Sequence, residues 1–130
     1  MFAHDVAPPD RVLLVEDDDA TRELFANALR FTGFQVRTAA DGLGGLRVLD
    51  IFDPNVIVLD LGLPIASGFE VLHELRAQAR THIPVIAISG HDRGVELARV
   101  NPEFFAALAK PFDPDTLVRA VRLALRLQHF

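Results

Sequence analysis

Four apolar runs in this chain each lead to residues with chemical capability. Val12–Val15 is followed by Glu16, Asp17 and Asp18, Val56–Leu59 by Asp60, Val85–Ile88 by Ser89, and Phe104–Leu108 by Lys110 after one alanine. That lysine is the only one in the chain; every other basic side chain, histidines aside, is an arginine. Carboxylates gathered in one place repel: two unit charges about 4 Å apart cost roughly 4 kcal/mol at an effective dielectric of 20. Such a group either shares a proton or holds a cation. Oxygen donors without histidine or cysteine suit a hard ion such as Mg²⁺, which keeps several waters and binds phosphate oxygens as well. A lysine and a hydroxyl opposite the metal complete a site for a phosphoryl group in transfer.

These residues converge only if the apolar runs are neighbouring strands that end at one edge. Five strands are expected, at Val12–Val15, Phe34–Thr38, Val56–Leu59, Val85–Ile88 and Phe104–Leu108. Three are continuous apolar runs, as parallel strands covered on both faces require. Helical segments alternate with them. The first runs over 20–32, with Leu24, Ala28 and Phe31 on one face and Gly33 as its stop. Shorter ones span 42–52 and 92–100. The third is capped by Ser67 with Glu70 at capping-box spacing, and aligns Val71, Leu72, Leu75 and Ala79. The last starts at Asp113–Pro114 and aligns Leu117, Val121, Ala124 and Leu125. Five βα units predict an α/β protein with helices on both faces of a parallel sheet, whose ligands lie beyond the carboxyl ends of the strands. The organisation expected is an irregular lead-in over 1–10 and one domain over 11–130.

Composition narrows the function. The chain has no cysteine and a net charge of −5, which excludes disulfides and argues against direct nucleic-acid binding. It has neither a secretion signal nor an apolar run of membrane-spanning length, so a cytoplasmic protein without membrane contact is expected. Gly42, Gly44 and Gly45 do not follow a strand in the manner of a dinucleotide-binding loop. Arg119, Arg122 and Arg126 form a stripe on the last helix, read first as a solvated face and second as a docking surface for an acidic partner.

The blocks VLLVEDD (12–18), VIVLDLGLP (56–64), AISG (87–90) and AKPF (109–112) resemble, in order, the four motif blocks of bacterial two-component receiver domains, from Arg11 to the C-terminus. The resemblance implies a doubly wound, flavodoxin-like three-layer fold with strand order 2-1-3-4-5. It makes Asp60 the phosphoacceptor. Asp17, Asp60, the backbone carbonyl of Gly62 and, through water, Glu16 would hold Mg²⁺. Ser89 and Lys110 would bind the phosphoryl group, and Pro111 would follow a cis peptide bond. The partners implied are a histidine kinase or histidine phosphotransfer protein and an output protein of unknown identity. The role is that of a signalling phosphoacceptor rather than an enzyme. The chain departs from the family at three positions: Ala107 where an aromatic switch residue is usual, and Gly62 and His91 at places that tune the lifetime of the phosphorylated state.

Two other readings are open to the sequence. One is a degenerate receiver that binds partners without being phosphorylated. The other is an aspartyl-phosphate phosphohydrolase, disfavoured because Gly62 stands where such enzymes carry a second acid.

Overall fold

A computed structural model describes residues 7–63, 67–78 and 82–128 of the chain. Five strands, β1 (Arg11–Val15), β2 (Gln35–Ala39), β3 (Val56–Asp60), β4 (Val85–Ser89) and β5 (Ala106–Ala109), alternate with five helices, α1 (Asp19–Thr32), α2 (Gly42–Phe52), α3 (Gly68–Ala77), α4 (Asp92–Arg99) and α5 (Pro114–Leu127). All strand pairs are parallel, in the order β2-β1-β3-β4-β5. The α/β class and the 2-1-3-4-5 order are those expected. Chain order reverses between β1 and β3, so a crevice opens beyond the carboxyl ends of the central strands.

Strand alternation explains why the apolar runs are continuous. Leu13, Val15, Ile57 and Leu59 face one layer with Leu49, Val71, Leu72, Leu75 and Val95. Val12, Leu14, Val56 and Val58 face the opposite layer with Phe25, Leu29, Leu117 and Val121. Each side chain so buried contributes about 1.5–3 kcal/mol.

The helix caps follow local chemistry. The Asp18 carboxylate accepts from Thr21 N at 2.8 Å at the start of α1, and Gly33 ends that helix at φ 112°. Ser67 Oγ accepts from Glu70 N at 3.2 Å at the start of α3. Pro114 is the first residue of α5.

Two expectations are corrected. The inward face of α1 is Phe25, Ala26 and Leu29, whereas Leu24 and Phe31 are exposed, Phe31 by 95%, and Ala28 is half-buried. Two apolar stripes lie side by side on this helix, one residue and about 100° apart, and periodicity alone does not say which turns inward. Contact with the segment joining β5 to α5 decides it, since Phe25 stacks on Phe112 at 5.0 Å with the rings 11° apart. The fifth strand starts later than expected, at Ala106. Phe104 N bonds Asn101 O in the preceding turn, and the Phe104 ring packs edge-on against Phe69. Ala79 and Pro64 lie outside the described residues.

Candidate functional site

Asp60 is the last residue of the central strand β3 and is 5% exposed. Glu16, one residue beyond β1, is fully buried; Asp17 beside it is exposed. Carboxylate oxygens of Glu16, Asp17 and Asp60 lie within 4.8 Å of one another. Neighbouring strand ends hold these residues in place. Glu16 N bonds Ala39 O, Leu61 N bonds Ile88 O, and Lys110 N bonds Ser89 O. The register that closes the hydrophobic layers therefore also brings β1, β3, β4 and β5 to one edge.

Lys110 reaches back over that edge. Its ammonium donates to Glu16 Oε1 and, at 3.0 Å, to Asp60 Oδ2. Asp60 Oδ1 accepts from Gly62 N at 2.9 Å, and Glu16 Oε2 from Asp18 N at 3.1 Å. Burial pushes Glu16 up to about 7, aided by its hydrogen bond to Asp60 and opposed by Lys110 and the Asp18 N–H. Burial also raises Asp60, but hydrogen bonds from Glu16, Gly62 N and Lys110 outweigh it and hold that carboxyl below its ordinary value. Burial lowers Lys110, yet the two carboxylates prevail and raise it. Burial thus favours the protonated form of Glu16, and the hydrogen bonds favour the ionised form of Asp60.

Ser89, 2% exposed at the end of β4, is occupied with its own turn. Its hydroxyl accepts from His91 N at 3.0 Å and donates to His91 O at 3.3 Å. A Cβ on Gly94 would lie 3.1 Å from Ser89 Oγ, so the first turn of α4 runs close over the serine. His91 is exposed at the N-cap of α4 and makes no side-chain cap bond. Gly62 is exposed. The Lys110–Pro111 peptide is cis. Ala107 is buried beside Ala87 on β4.

Two contributors went unnoticed in the sequence. Gly68 opens α3 so close to β3 that a Cβ would meet Asp60 O at 2.7 Å and Leu61 Cα at 2.8 Å. Its place one residue after the cap Ser67 was the available signal. Arg22 donates to the carbonyl of Glu16 at 2.9 Å, and only its distance from the acidic run hinted at that contact. The three acids form an all-oxygen donor set with no histidine or cysteine among them, which fits a hard divalent cation.

The response regulator receiver domain profile matches residues 12–122, and the chain belongs to that family of two-component signalling domains. Among curated proteins it is 32% identical over 122 residues to the regulatory protein AtoC of Escherichia coli, covering 92% of this chain and 26% of that protein. It is 34% identical over 127 residues to the DNA-binding dual master transcriptional regulator RpaA of Synechocystis, covering 89% of this chain and 49% of the relative. The chain thus spans about half the length of such relatives, or less. Among solved structures, the CheY-like receiver domain protein of Methanospirillum hungatei superposes with TM-score 0.85 at 26% identity, covering 93% of this chain and 97% of that one. The chemotaxis response regulator CheY4 of Vibrio cholerae gives 0.80 at 27%, covering 90% and 99%. Receiver domains are signalling phosphoacceptors that typically bind Mg²⁺ and work with histidine kinases and output domains. Among the described residues, no helix is long and apolar enough to cross a membrane.

Proposed function

We propose that this receiver accepts a phosphoryl group on Asp60 from a phosphohistidine of a kinase or phosphotransfer protein. The observation that carries the reading is a buried Asp60 carboxylate at the end of the central strand, between Lys110 and the Glu16–Asp17 pair. An Asp60 oxygen attacks phosphorus; the P–N bond breaks with its electron pair left on the imidazole, and the new P–O bond makes an acyl phosphate. Asp17, Asp60, the Gly62 carbonyl and, through water, Glu16 are the residues to hold Mg²⁺, which when bound neutralises charge on the phosphoryl oxygens. Lys110 supplies a further positive charge. Ser89 leaves its bonds to His91 and turns to a phosphoryl oxygen, and with it the face of α4, β5 and α5 changes its balance of conformations. His91 and Gly62, at the mouth of the site, govern how readily water reaches the acyl phosphate. An output protein in the cytoplasm reads the altered face, without nucleic-acid or membrane contact by these residues.

Intact-protein mass after incubation with Mg²⁺ and acetyl phosphate tests this. One added phosphoryl group is expected, absent with chelator and absent in Asp60→Asn. Buried Ala107, in place of an aromatic switch residue, favours the second reading, a module that binds partners without phosphorylation. No adduct from either acetyl phosphate or a phosphorylated kinase would favour that module.

A further inference from the structure

Arg22 lies in the first turns of α1 with its side chain only 21% exposed. Its Nη1 donates to the carbonyl oxygen of Glu16 at 2.9 Å, and its Nη2 pairs with Asp19 on the same helix. The chain leaves the sheet at Glu16, and on either side of Asp17 the backbone is held. Glu16 N bonds Ala39 O at 3.0 Å, and Asp18 N bonds Glu16 Oε2 at 3.1 Å. Asp18 is fastened in turn by Thr21 N at 2.8 Å and Thr21 Oγ1 at 2.6 Å. Asp17 itself is exposed, so where its carboxylate points depends on the peptide units flanking it. The Arg22 contact is made to the carbonyl of the peptide joining Glu16 to Asp17.

We propose that Arg22 is a positioning residue for the divalent cation. By tethering that carbonyl it fixes the Glu16–Asp17 peptide, so that the Asp17 carboxylate is already turned towards Asp60 when the ion arrives. It offers no ligand atom. Its action is to remove in advance the ordering that a free loop would undergo on binding. This rests on the reading of the acidic cluster as a Mg²⁺ site.

The sign of the effect separates this role from a bystander charge. An arginine acting only through its charge repels Mg²⁺, and its removal tightens binding; a positioning arginine lost to alanine weakens it. Titration calorimetry of Mg²⁺ into the wild type, Arg22→Ala, Arg22→Lys and Asp19→Ala measures this, with thermal melting in chelator as a control on folding. We expect Arg22→Ala to raise the Kd about tenfold. Arg22→Lys, which keeps the charge but loses the fork, weakens binding by a smaller factor and serves if the alanine variant does not fold. Asp19→Ala, which breaks the ion pair but spares the tether, stays within about twofold of the wild type. In the metal-free protein, backbone amide exchange broadening at Asp17 and Asp18 should appear in Arg22→Ala and not in Asp19→Ala. Unchanged or tighter Mg²⁺ binding in both Arg22 variants overturns the inference alone. A wild type that binds no Mg²⁺ overturns the reading beneath it.

Discussion

The Lys110 ammonium bridges two buried carboxylates from different strands, bonding Glu16 Oε1 and, at 3.0 Å, Asp60 Oδ2. In the metal-free protein one lysine therefore offsets the repulsion that a divalent ion relieves when bound. Removing one partner of such a group is costly, and the lysine side chain is only 24% exposed. Lys110→Ala is expected to destabilise the chelated protein by about 1–3 kcal/mol in denaturant melts. It should also bind Mg²⁺ more tightly than the wild type, because a competing cation has gone.

Burial holds the proton of Glu16 up to about 7, whereas a carboxyl in the unfolded chain titrates near its ordinary value, about 4.3. Between those values the folded state binds more protons than the unfolded one. The stability this confers is present below the unfolded pKa and is lost as pH rises through the folded one. Melts in chelator should therefore show stability falling from about pH 4.5 to 7.5, and Glu16→Gln should flatten that fall. The lowered pKa of Asp60 acts at more acid pH and leaves this window to Glu16.

Gly68 has no room for a side chain between α3 and the end of β3. The two nearest atoms a Cβ would meet, Asp60 O and Leu61 Cα, are backbone and cannot step aside cheaply, and Leu61 Cδ2 lies only slightly farther. Gly68→Ala should cost about 1–3 kcal/mol and, since α3 must shift against Asp60, slow phosphorylation by acetyl phosphate. An alanine variant with wild-type stability and rate would contradict the close approach.

On α1, the two apolar stripes should respond oppositely to truncation. Leu29 is fully buried and Phe31 is exposed. Leu29→Ala should lower stability by about 2–5 kcal/mol, and Phe31→Ser should leave it within about 0.5 kcal/mol of wild type. Paired thermal melts decide between the observed face and the one suggested by Leu24, Ala28 and Phe31.

Three strands were legible because parallel strands buried on both faces leave continuous apolar runs, whereas the strand order followed from the resemblance of the motif blocks. Val12–Val15, Val56–Leu59 and Val85–Ile88 are apolar at every position, and each leads directly to a polar residue of the site. The phase of α1 was not legible, since Leu24–Phe25 and Phe31 offer two plausible faces and only Phe112 on a distant segment selects between them. The start of β5 was hidden for a related reason: Phe104 looks like strand but is consumed by packing on Phe69. Within the site, residue types were readable and partnerships were not. Lys110 was expected on the phosphoryl group, and nothing local in AKPF announces that it also closes on Glu16. Gly68 and Arg22 act through backbone atoms outside their own helices, contacts to which only the cap Ser67 before the glycine and the nearness of Arg22 to the acidic run pointed.

Reduction of the phosphorylated protein with borohydride, followed by peptide mass spectrometry, tests the central claim most directly. An acyl phosphate is reduced to an alcohol, so the phosphorylated aspartate becomes homoserine and is marked in place. The expected result is homoserine at position 60 and nowhere else, formed only after exposure to Mg²⁺ and a phosphodonor. Homoserine at position 17 or 18, or a phosphoryl group retained on a histidine or serine with Asp60 intact, would contradict it.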